Sequence, residues 1–374
     1  MISKYFDVVR ATDTPDNYLS IGYDIDVIEH QYETVPSDKP SKLVSLEKGD
    51  ILVGTVKQQV ALFAGDFEAY AQQGWKVLRL KDGADINVVG VFALMNTQRF
   101  NYLLRGAYRG ESASNLIIGE FTGIELEIKY INPSVAKDFM LQIRLRKLIE
   151  RRIYLMKELK KGMMQRMFPK NGSKITELRF EGFADDWVKC ELSEQKDVRD
   201  GTHDSPKYYN SGYPLVTSKN LSEFGLDMSE VSLISNEDFE NINKRSKVDV
   251  GDIIFGMIGT IGNPVLLEQD GFAIKNVALI KNGGNVLNIW LIQLLKSTVF
   301  EKYIQDKISG NTQKFMGLST IRHYKFFAPT IDEQTKIGYL FNSLDNLIAV
   351  NERELDLLEE HKKGYLQKSF CRKE

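Results

Sequence analysis

The chain of 374 residues exceeds the roughly 250–300 residues that one hydrophobic core supports, so we expect two or more folding units. Its 28 glycines and 9 prolines are too few for a collagen-like or disordered chain. The 49 Lys and Arg nearly balance the 51 Asp and Glu, and a net charge of −2 excludes a bulk field for nucleic acid or membranes. Any anion site must therefore be a local patch.

Cysteine usage and hydropathy indicate the compartment. The two cysteines, Cys190 and Cys371, have no metal-site or disulfide spacing, as is usual in a reducing compartment. No run approaches about 18 apolar residues, and the first ten residues lack the pattern of a signal peptide. We therefore expect a cytoplasmic protein that makes no contact with a membrane.

The first half of the chain predicts a mixed domain followed by a long helix. Residues 1–133 alternate short β-branched runs with turns, as short strands do. Residues 134–170 are predicted to be a helix, because Pro133 is a start signal and no Gly or Pro follows before Gly162. Its leucines recur at spacings of four and three with one arginine interrupting, as in the seam of a coiled coil. The seam consists of Leu141, Leu145, Leu148, Arg152, Leu155 and Leu159.

The second half predicts the same order of elements. A second mixed domain over residues 171–329 is followed by a long helix over residues 330–374, which we expect to pair antiparallel with the first. Arg152 and Asn351 either lie in the middle of the seam, where a buried polar residue sets alignment, or face solvent. The first helix is mainly basic and the second is rich in acidic residues, which favours their pairing. The second seam consists of Ile337, Leu340, Leu344, Leu347, Asn351 and Leu358.

An internal repeat joins the two halves. Lys160–Phe168 and Lys362–Phe370 are identical at five of nine positions, and Gly49–Ile51 recurs at the same displacement along the chain as Gly251–Ile253. The second copy is predicted to carry an extra front segment, from Asn171 to about Arg199. We therefore predict an α+β fold of two mixed domains, made of short twisted strands and small helices, separated by two long antiparallel coiled-coil helices.

Several motifs of the second copy resemble a known family. Leu178–Phe183 leads to Asp186-Trp187 and then to Asp200–Pro206, and a polar loop at Gly310–Lys314 precedes an exit strand ending at Phe327–Pro329. With the duplicated domain-plus-helix plan, they resemble the specificity subunit of type I restriction-modification systems. The resemblance covers residues 134–374.

The resemblance implies a non-catalytic subunit that binds double-stranded DNA. Two target recognition domains would each read one half of a split site, with the long helices as the spacer between them. Two methyltransferase subunits would dock on the helices and supply S-adenosylmethionine, so no cofactor is expected in this chain, and restriction and motor subunits would join the complex. The first domain departs from the pattern, because it has no counterpart of the segment from Arg179 to Trp187.

DNA recognition needs Lys and Arg for phosphates and Asn, Gln, Ser or Thr for base edges, on loops held by a scaffold. An exposed turn or a solvated charge run is the simpler interpretation of each candidate group. The second-domain candidates are Thr202, His203, Lys207, Thr217, Ser218, Lys219, Asn220, Lys244, Arg245, Lys247, Asn311, Thr312, Gln313 and Lys314. The first-domain candidates are Arg105, Arg109, Ser112, Ser114 and Asn115.

Enzyme patterns are weak in this sequence. Gly256, Gly259 and Gly262 follow a predicted strand, but no Lys-Ser or Lys-Thr follows them, so a strand turn explains them better than a phosphate loop. The four histidines are scattered without metal-site spacing, and no methyltransferase motif occurs. We therefore expect no metal and no catalysis, and the alternative to DNA recognition is a protein-interaction scaffold with only one functional DNA-reading domain.

Overall fold

The computed structural model divides the chain into two compact units. Unit 1 comprises Met1–Arg151 and Glu352–Glu374, and unit 2 comprises Arg152–Asn351. Both combine strands with helices, which confirms the predicted mixed fold. The described residues are 1–14, 18–21, 26–29, 31, 34–37, 41–109, 115–125, 133–170, 173–222, 225–308 and 315–370.

Unit 1 is built on sheets of short, largely buried strands. In its described part, two five-stranded sheets have the orders β1-β10-β7-β8-β4 and β2-β6-β9-β3-β5, and β11 pairs with β12. The strands are β1 (Phe6–Val8), β2 (Thr12–Asp13), β3 (Tyr18–Ile21), β4 (Val27–Ile28), β5 (Thr34–Ser37), β6 (Lys42–Ser45), β7 (Ile51–Gly54), β8 (Val60–Phe63), β9 (Tyr70–Ala71), β10 (Trp75–Leu80), β11 (Tyr108–Arg109) and β12 (Asn115–Leu116).

Helices cover one side of the unit 1 core. Asn87 and Thr97 cap the first two with side-chain hydrogen bonds to Gly90 N and Phe100 N. Phe92 and Phe139, from the first and the fourth helix, pack with ring centroids 5.8 Å apart. The helices are α1 (Val88–Met95), α2 (Gln98–Gly106), α3 (Ile118–Thr122) and the long α4 (Pro133–Met167).

Unit 2 repeats this plan with smaller sheets. Its described strands form sheets of order β14-β22-β19-β20 and β18-β15-β21 and the pairs β13-β23 and β16-β17. The strands are β13 (Val188–Glu191), β14 (Val198–Asp200), β15 (Tyr213–Val216), β16 (Leu221–Ser222), β17 (Gly225–Leu226), β18 (Ser232–Ile234), β19 (Ile253–Gly256), β20 (Gly262–Leu266), β21 (Ala273–Ile274), β22 (Val277–Ile280) and β23 (Lys325–Ala328). The helices are α5 (Leu192–Gln195), α6 (Asn236–Ser246), α7 (Asn288–Leu295), α8 (Thr298–Lys307), α9 (Leu318–Arg322) and the long α10 (Ile331–Phe370).

The boundary between the units falls within both long helices. Within unit 1, the Tyr365 hydroxyl lies 2.9 Å from Asp138 Oδ2, and Arg146 Nε lies 3.6 Å from Glu359 Oε1. Residue numbers rise along one helix as they fall along the other, so the two segments run antiparallel in this unit. Among the described residues, no helix combines the length and apolarity needed to cross a bilayer.

The prediction that the leucines of α4 form a seam with α10 was wrong. Its leucines are 43–67% exposed, and Leu347 on α10 is 51% exposed. The face of α4 that is buried carries Phe139, Ile143 and Ile153 instead. Both faces repeat at the spacing of helix turns, so periodicity predicts the helix but does not choose the face. The exposed set is Leu141, Leu145, Leu148, Arg152, Leu155, Leu159 and Leu347.

The remaining predicted seam residues of α10 are buried or half-buried. Ile337 and Asn351 are 1% exposed, and Leu340, Leu344 and Leu358 are half-buried. Asn351 Nδ2 donates to Leu347 O within the same helix at 2.6 Å, so its amide is satisfied on one side by the turn below it.

A buried aspartate with a cation is the clearest structural repeat. Asp50 accepts from Arg79 Nε at 2.9 Å and from Glu47 N at 2.8 Å. The equivalent position of unit 2 carries Asp252, which binds Lys281 Nζ and accepts from the backbone of residue 249 at 2.8 Å. Both aspartates are 1% exposed, which explains why the Gly-Asp-Ile motif is duplicated.

The extra front segment of the second copy is shorter than predicted. Val8 pairs with Leu78 in unit 1, and Val198 pairs with Ile280 in unit 2, so β1 is the counterpart of β14. The segment without a described counterpart in unit 1 therefore ends before β14, near Glu191 at the end of β13. In unit 2 it is anchored by Arg179, whose guanidinium binds Glu333 at 2.9 and 2.6 Å.

Candidate nucleic-acid interface

Three loops of unit 2 meet at the turn after β21. Lys275 N donates to Val216 O at 2.9 Å, Asn276 N donates to Thr202 O at 3.1 Å, and Met257 N donates to Asn276 O at 3.3 Å. Asn276 has a φ of +58°, a left-handed conformation that asparagine tolerates better than most residues. The turn thus gathers candidate stretches that are far apart in the sequence.

A chain of polar side chains crosses this turn, and we call Arg245, Asp200, His203 and Asn276 the His203 network. His203 Nδ1 lies 2.9 Å from Asn276 Oδ1, and its Nε2 lies 3.0 Å from Asp200 Oδ2. The other oxygen of Asp200 accepts from Arg245 Nη2. His203 and Arg245 remain 53% and 62% exposed, so the network lies at the surface.

The predicted stretch from Thr217 to Asn220 is mostly occupied in building its own turn. Thr217 N donates to Asn220 Oδ1 at 3.0 Å, and Ser218 Oγ donates to Ile258 O at 2.6 Å. Ser218 and Asn220 are 7% and 9% exposed. Of the four predicted residues, Lys219 is the exposed one whose charge faces solvent.

The residues that follow the predicted polar loop at Gly310–Lys314 lie at the same surface. Ile258 forms an antiparallel bridge with Phe315, and Met316 N donates to Met257 O at 2.9 Å. Phe315 is 49% exposed. The predicted residues Asn311, Thr312, Gln313 and Lys314 lie outside the described residues, directly before Phe315.

The predicted cations near this surface are partly engaged. Lys244 Nζ donates to Asn241 Oδ1 at 2.9 Å, and Lys207 Nζ lies 5.6 Å from the centre of the Tyr209 ring. Lys247 pairs with Asp249 at 2.9 Å, and this hydrogen bond raises the pKa of Lys247. These contacts involve exposed side chains and are weak enough to be exchanged for phosphate contacts.

Sequence reasoning missed Lys275 and Asn276. Lys275 Nζ donates to Ser205 Oγ at 2.8 Å, which ties the turn to the loop of His203. The available signal was a Lys-Asn pair between two short apolar runs, which is typical of a turn. That signal predicts a turn but not the His203 network, whose other members lie in distant loops.

In unit 1 the predicted residues are less free. Arg109 pairs with Glu120 at 2.8 Å and donates to Gly106 O at 2.6 Å, and Arg105 Nε donates to Gln58 Oε1 at 3.2 Å. Asn115 is exposed on β12. The remaining candidates, Ser112 and Ser114, lie outside the described residues.

In unit 1, an open cavity of about 640 Å³ lies at the place that corresponds to the turn after β21 of unit 2. Arg10, Lys42 and Lys76 contribute positive charge to its lining, and Gln72 and Gln73 contribute amides. Tyr108, just outside it, donates to Gly54 O, and burial raises the pKa of this tyrosine to about 12. The surface is concave and basic, but it contains no described equivalent of the His203 network.

Comparison with known proteins finds a family similar to the second half of the chain. The family described as the type I restriction modification DNA specificity domain matches residues 184–360, slightly less than half of the chain. The matched specificity domain contains the His203 network, the turn at Thr217–Asn220, and Phe315.

Curated type I specificity subunits are similar over a longer stretch. A Methanocaldococcus jannaschii protein provisionally named the type I restriction enzyme MjaX specificity subunit is 25% identical over 199 residues, 50% of this chain and 46% of that protein. The type I restriction enzyme MjaVIII specificity subunit of the same organism is 24% identical over 234 residues, 58% of this chain and 53% of that protein. The chain thus spans about half the length of the curated relatives it matches.

The fold itself extends to both units. The crystal structure of the type I restriction-modification system S subunit from M. genitalium matches with a TM-score of 0.66 and covers 100% of this chain and 96% of that chain. Sequence identity is only 14%, so the match shows a shared fold and leaves the roles of individual residues to be argued from this chain.

Proposed function

We propose that the chain is the non-catalytic DNA-recognition subunit of a type I restriction-modification complex and reads a bipartite site in double-stranded DNA. The observation that carries the proposal is the surface of unit 2 around the turn after β21. It combines exposed cations with amide and imidazole groups on loops held by backbone hydrogen bonds. Such a surface has the groups needed for phosphates and for base edges.

The internal repeat supports a site in two halves. The same buried aspartate, the same strand order around it and the same following helices occur in both units. Two copies of one scaffold suit two half-sites, each read by its own unit. The long helices, antiparallel and coiled in this proposal, would set the number of base pairs between the halves.

Exposed apolar residues on the long helices support the docking of two equal partners. Leu145 and Leu148 in unit 1 are 43% and 67% exposed, and Leu347 and Val350, at the equivalent positions of the repeat in unit 2, are 51% and 63% exposed. Leu155 in unit 2 and Leu357 in unit 1 are also at equivalent positions of the repeat and are 50% and 56% exposed. Apolar residues repeated on exposed helix faces are typical of protein interfaces.

The proposed partners are two methyltransferase subunits, one for each apolar patch. S-adenosylmethionine would bind to them, and restriction and motor subunits would join through them, in the cytoplasm. A protein-interaction scaffold with one functional DNA-reading domain is the second candidate. The described part of unit 1 favours it, because it contains no equivalent of the His203 network.

Mapping of methylated adenine across a genome tests the proposal. Cells carrying the chain with its methyltransferase subunits should methylate a split motif, and cells without the chain should not. Methylation that is unchanged on deletion would refute the proposal, and a contiguous motif would favour the scaffold. Asn311→Ala with Gln313→Ala should relax one half of the motif while the complex still assembles.

A further inference from the structure

We propose that Asn276 reads a base edge and that the other members of the His203 network position its side-chain amide. The inference rests on the proposed function, since it assumes that unit 2 binds DNA. It assigns a specificity-determining role to a residue that composition and spacing did not single out.

The amide of Asn276 is held at one end and open at the other. In the doubly protonated imidazole of His203, Nε2 donates to the Asp200 carboxylate and Nδ1 donates to Asn276 Oδ1 at 2.9 Å. Among the described residues none accepts a hydrogen bond from Asn276 Nδ2. Its backbone is fixed by bonds to Thr202 O and from Met257 N. A half-buried amide with one end secured presents a donor in a defined direction.

His203 is itself held in place. Asp200 is the last residue of β14, its side chain is only 18% exposed, and it binds the opposite nitrogen of the imidazole at 3.0 Å. Arg245 binds the second carboxylate oxygen and also lies 3.4 Å from Gly201 O. Arg245 thereby neutralises Asp200, whose charge would otherwise repel DNA phosphates. The order of support therefore runs from Arg245 through Asp200 and His203 to Asn276.

An amide with only its donor end free selects acceptors. In the major groove, guanine presents N7 and O6, adenine presents N7, and thymine presents O4, whereas cytosine presents a donor. We therefore expect one position of the unit 2 half-site to favour a base with an acceptor and to disfavour cytosine. Changing the amide to a carboxylate replaces the donor by acceptors and should reverse that preference.

The test maps methylated adenine in cells that carry the full chain and its methyltransferase subunits. Asn276→Gly keeps the left-handed backbone accessible and removes the amide, so it should reduce discrimination at one position by about tenfold or more. Asn276→Asp should shift that position toward cytosine or another base with a donor. His203→Ala and Asp200→Asn should relax the same position.

Asn263 provides a matched control. It also has a positive φ, 48°, but its Nδ2 donates to Leu221 O at 3.1 Å. Asn263→Gly should therefore leave the motif unchanged. If it relaxes the position in the same way, the effect of Asn276→Gly comes from the backbone and the inference is wrong.

The outcomes separate this inference from the proposed function. A wild-type chain that directs no split motif refutes the proposed function. A wild-type motif that persists in Asn276→Gly, or that Asn276→Asp weakens equally at every position, refutes only the reading role of Asn276. Relaxation of different positions by His203→Ala and Asn276→Gly would refute the positioning role of the network.

Discussion

Units 1 and 2 share a scaffold but differ in the segment that precedes the buried aspartate. In unit 1 this segment is strand β6, which pairs with β2 and β9. In unit 2 it is helix α6, which packs beside β14 and β21. The buried ion pair is retained in both units, but the element that precedes its aspartate is a strand in unit 1 and a helix in unit 2. Duplication has therefore preserved the core and allowed the surface to diverge.

The charges at the positions of the His203 network in unit 2 also differ from those at the equivalent positions of unit 1. In the register that aligns β1 with β14, Arg10 corresponds to Asp200 and Asp13 corresponds to His203. The His203 network therefore has no counterpart of the same charge in unit 1, and Arg245 lies on a helix that unit 1 replaces by a strand. If both units read DNA, they do so with different side chains on equivalent loops.

The largest expected effect tests the shared part of this comparison. Asp252→Ala removes the buried partner of Lys281, which keeps only the half-exposed Asp249 at 2.7 Å, and Asp50→Ala leaves Arg79 with the exposed Glu47 at 2.6 Å. The lost carboxylates also leave backbone N–H groups without an acceptor, those of residues 249 and 282 in unit 2 and that of Glu47 in unit 1. Each variant should therefore lose about 3–5 kcal/mol of unfolding free energy. Hydrogen exchange of the amides in β19 and β7 measures each loss in its own unit.

Asp66→Ala is the control for both variants. Asp66 pairs with Lys48, but its side chain is 78% exposed, so the change should stay within about 0.5 kcal/mol. A large loss for Asp252→Ala with a negligible one for Asp50→Ala would mean that the repeated geometry does not have a repeated energetic role.

The second prediction concerns a contact described only in unit 2. Arg179 is 12% exposed and binds Glu333, which is fully buried. Arg179→Met leaves that carboxylate unpaired and should lower the unfolding free energy measured in unit 2 by about 3 kcal/mol. Urea unfolding followed by hydrogen exchange measures it, with Lys170→Met, which removes an exposed partner of Glu177, as the control. A loss under about 1 kcal/mol would mean that Glu333 finds another partner.

The sequence predicts the repeat and the long helices for simple physical reasons. In one turn, Gly251 adopts a φ of +87° and Asp252 supplies a buried carboxylate. Because each position needs its residue type, both types recur in the two copies. The long helices follow from the absence of Gly and Pro. Leu145 was misplaced because a helix with two apolar faces offers two seams, and only tertiary packing decides which one is covered.

The role of the turn after β21, which carries Asn276, could not be predicted from the sequence in the same way. Asn276 acquires its role from His203, which is distant in the sequence, and from the parallel pairing of β15 with β21. Neither pairing leaves a periodic signal. Conversely, Thr217 and Asn220 have the composition of a reading loop but form a capping box, since the same side chains that bind base edges also bind backbone groups.

The third prediction uses a difference inside the shared core. Lys196 occupies the position that Phe6 fills in unit 1, and burial lowers the pKa of Lys196 to about 8. Between about pH 8 and 10.5 the unfolded chain binds more protons than the folded one, so stability should rise with pH in this window, by on the order of 2 kcal/mol. Lys196→Met should remove that rise in urea unfolding measured from pH 7 to 10.5. An unchanged slope would show that the lysine is hydrated.

The smallest expected effect on stability tests whether the two units are equivalent as docking sites. Leu145 and Leu347 are 43% and 51% exposed, so Leu145→Gln and Leu347→Gln should each change the unfolding free energy by no more than about 0.5 kcal/mol. Each variant should nevertheless lose one of the two methyltransferase subunits, counted by native mass spectrometry of the complex, and the double variant should lose both. Leu103→Gln, 41% exposed on α2, is the control and should retain two. Loss of both methyltransferase subunits from either single variant would mean that the subunits bind cooperatively and that the two patches act as one site. Retention of both subunits by the double variant would place docking elsewhere.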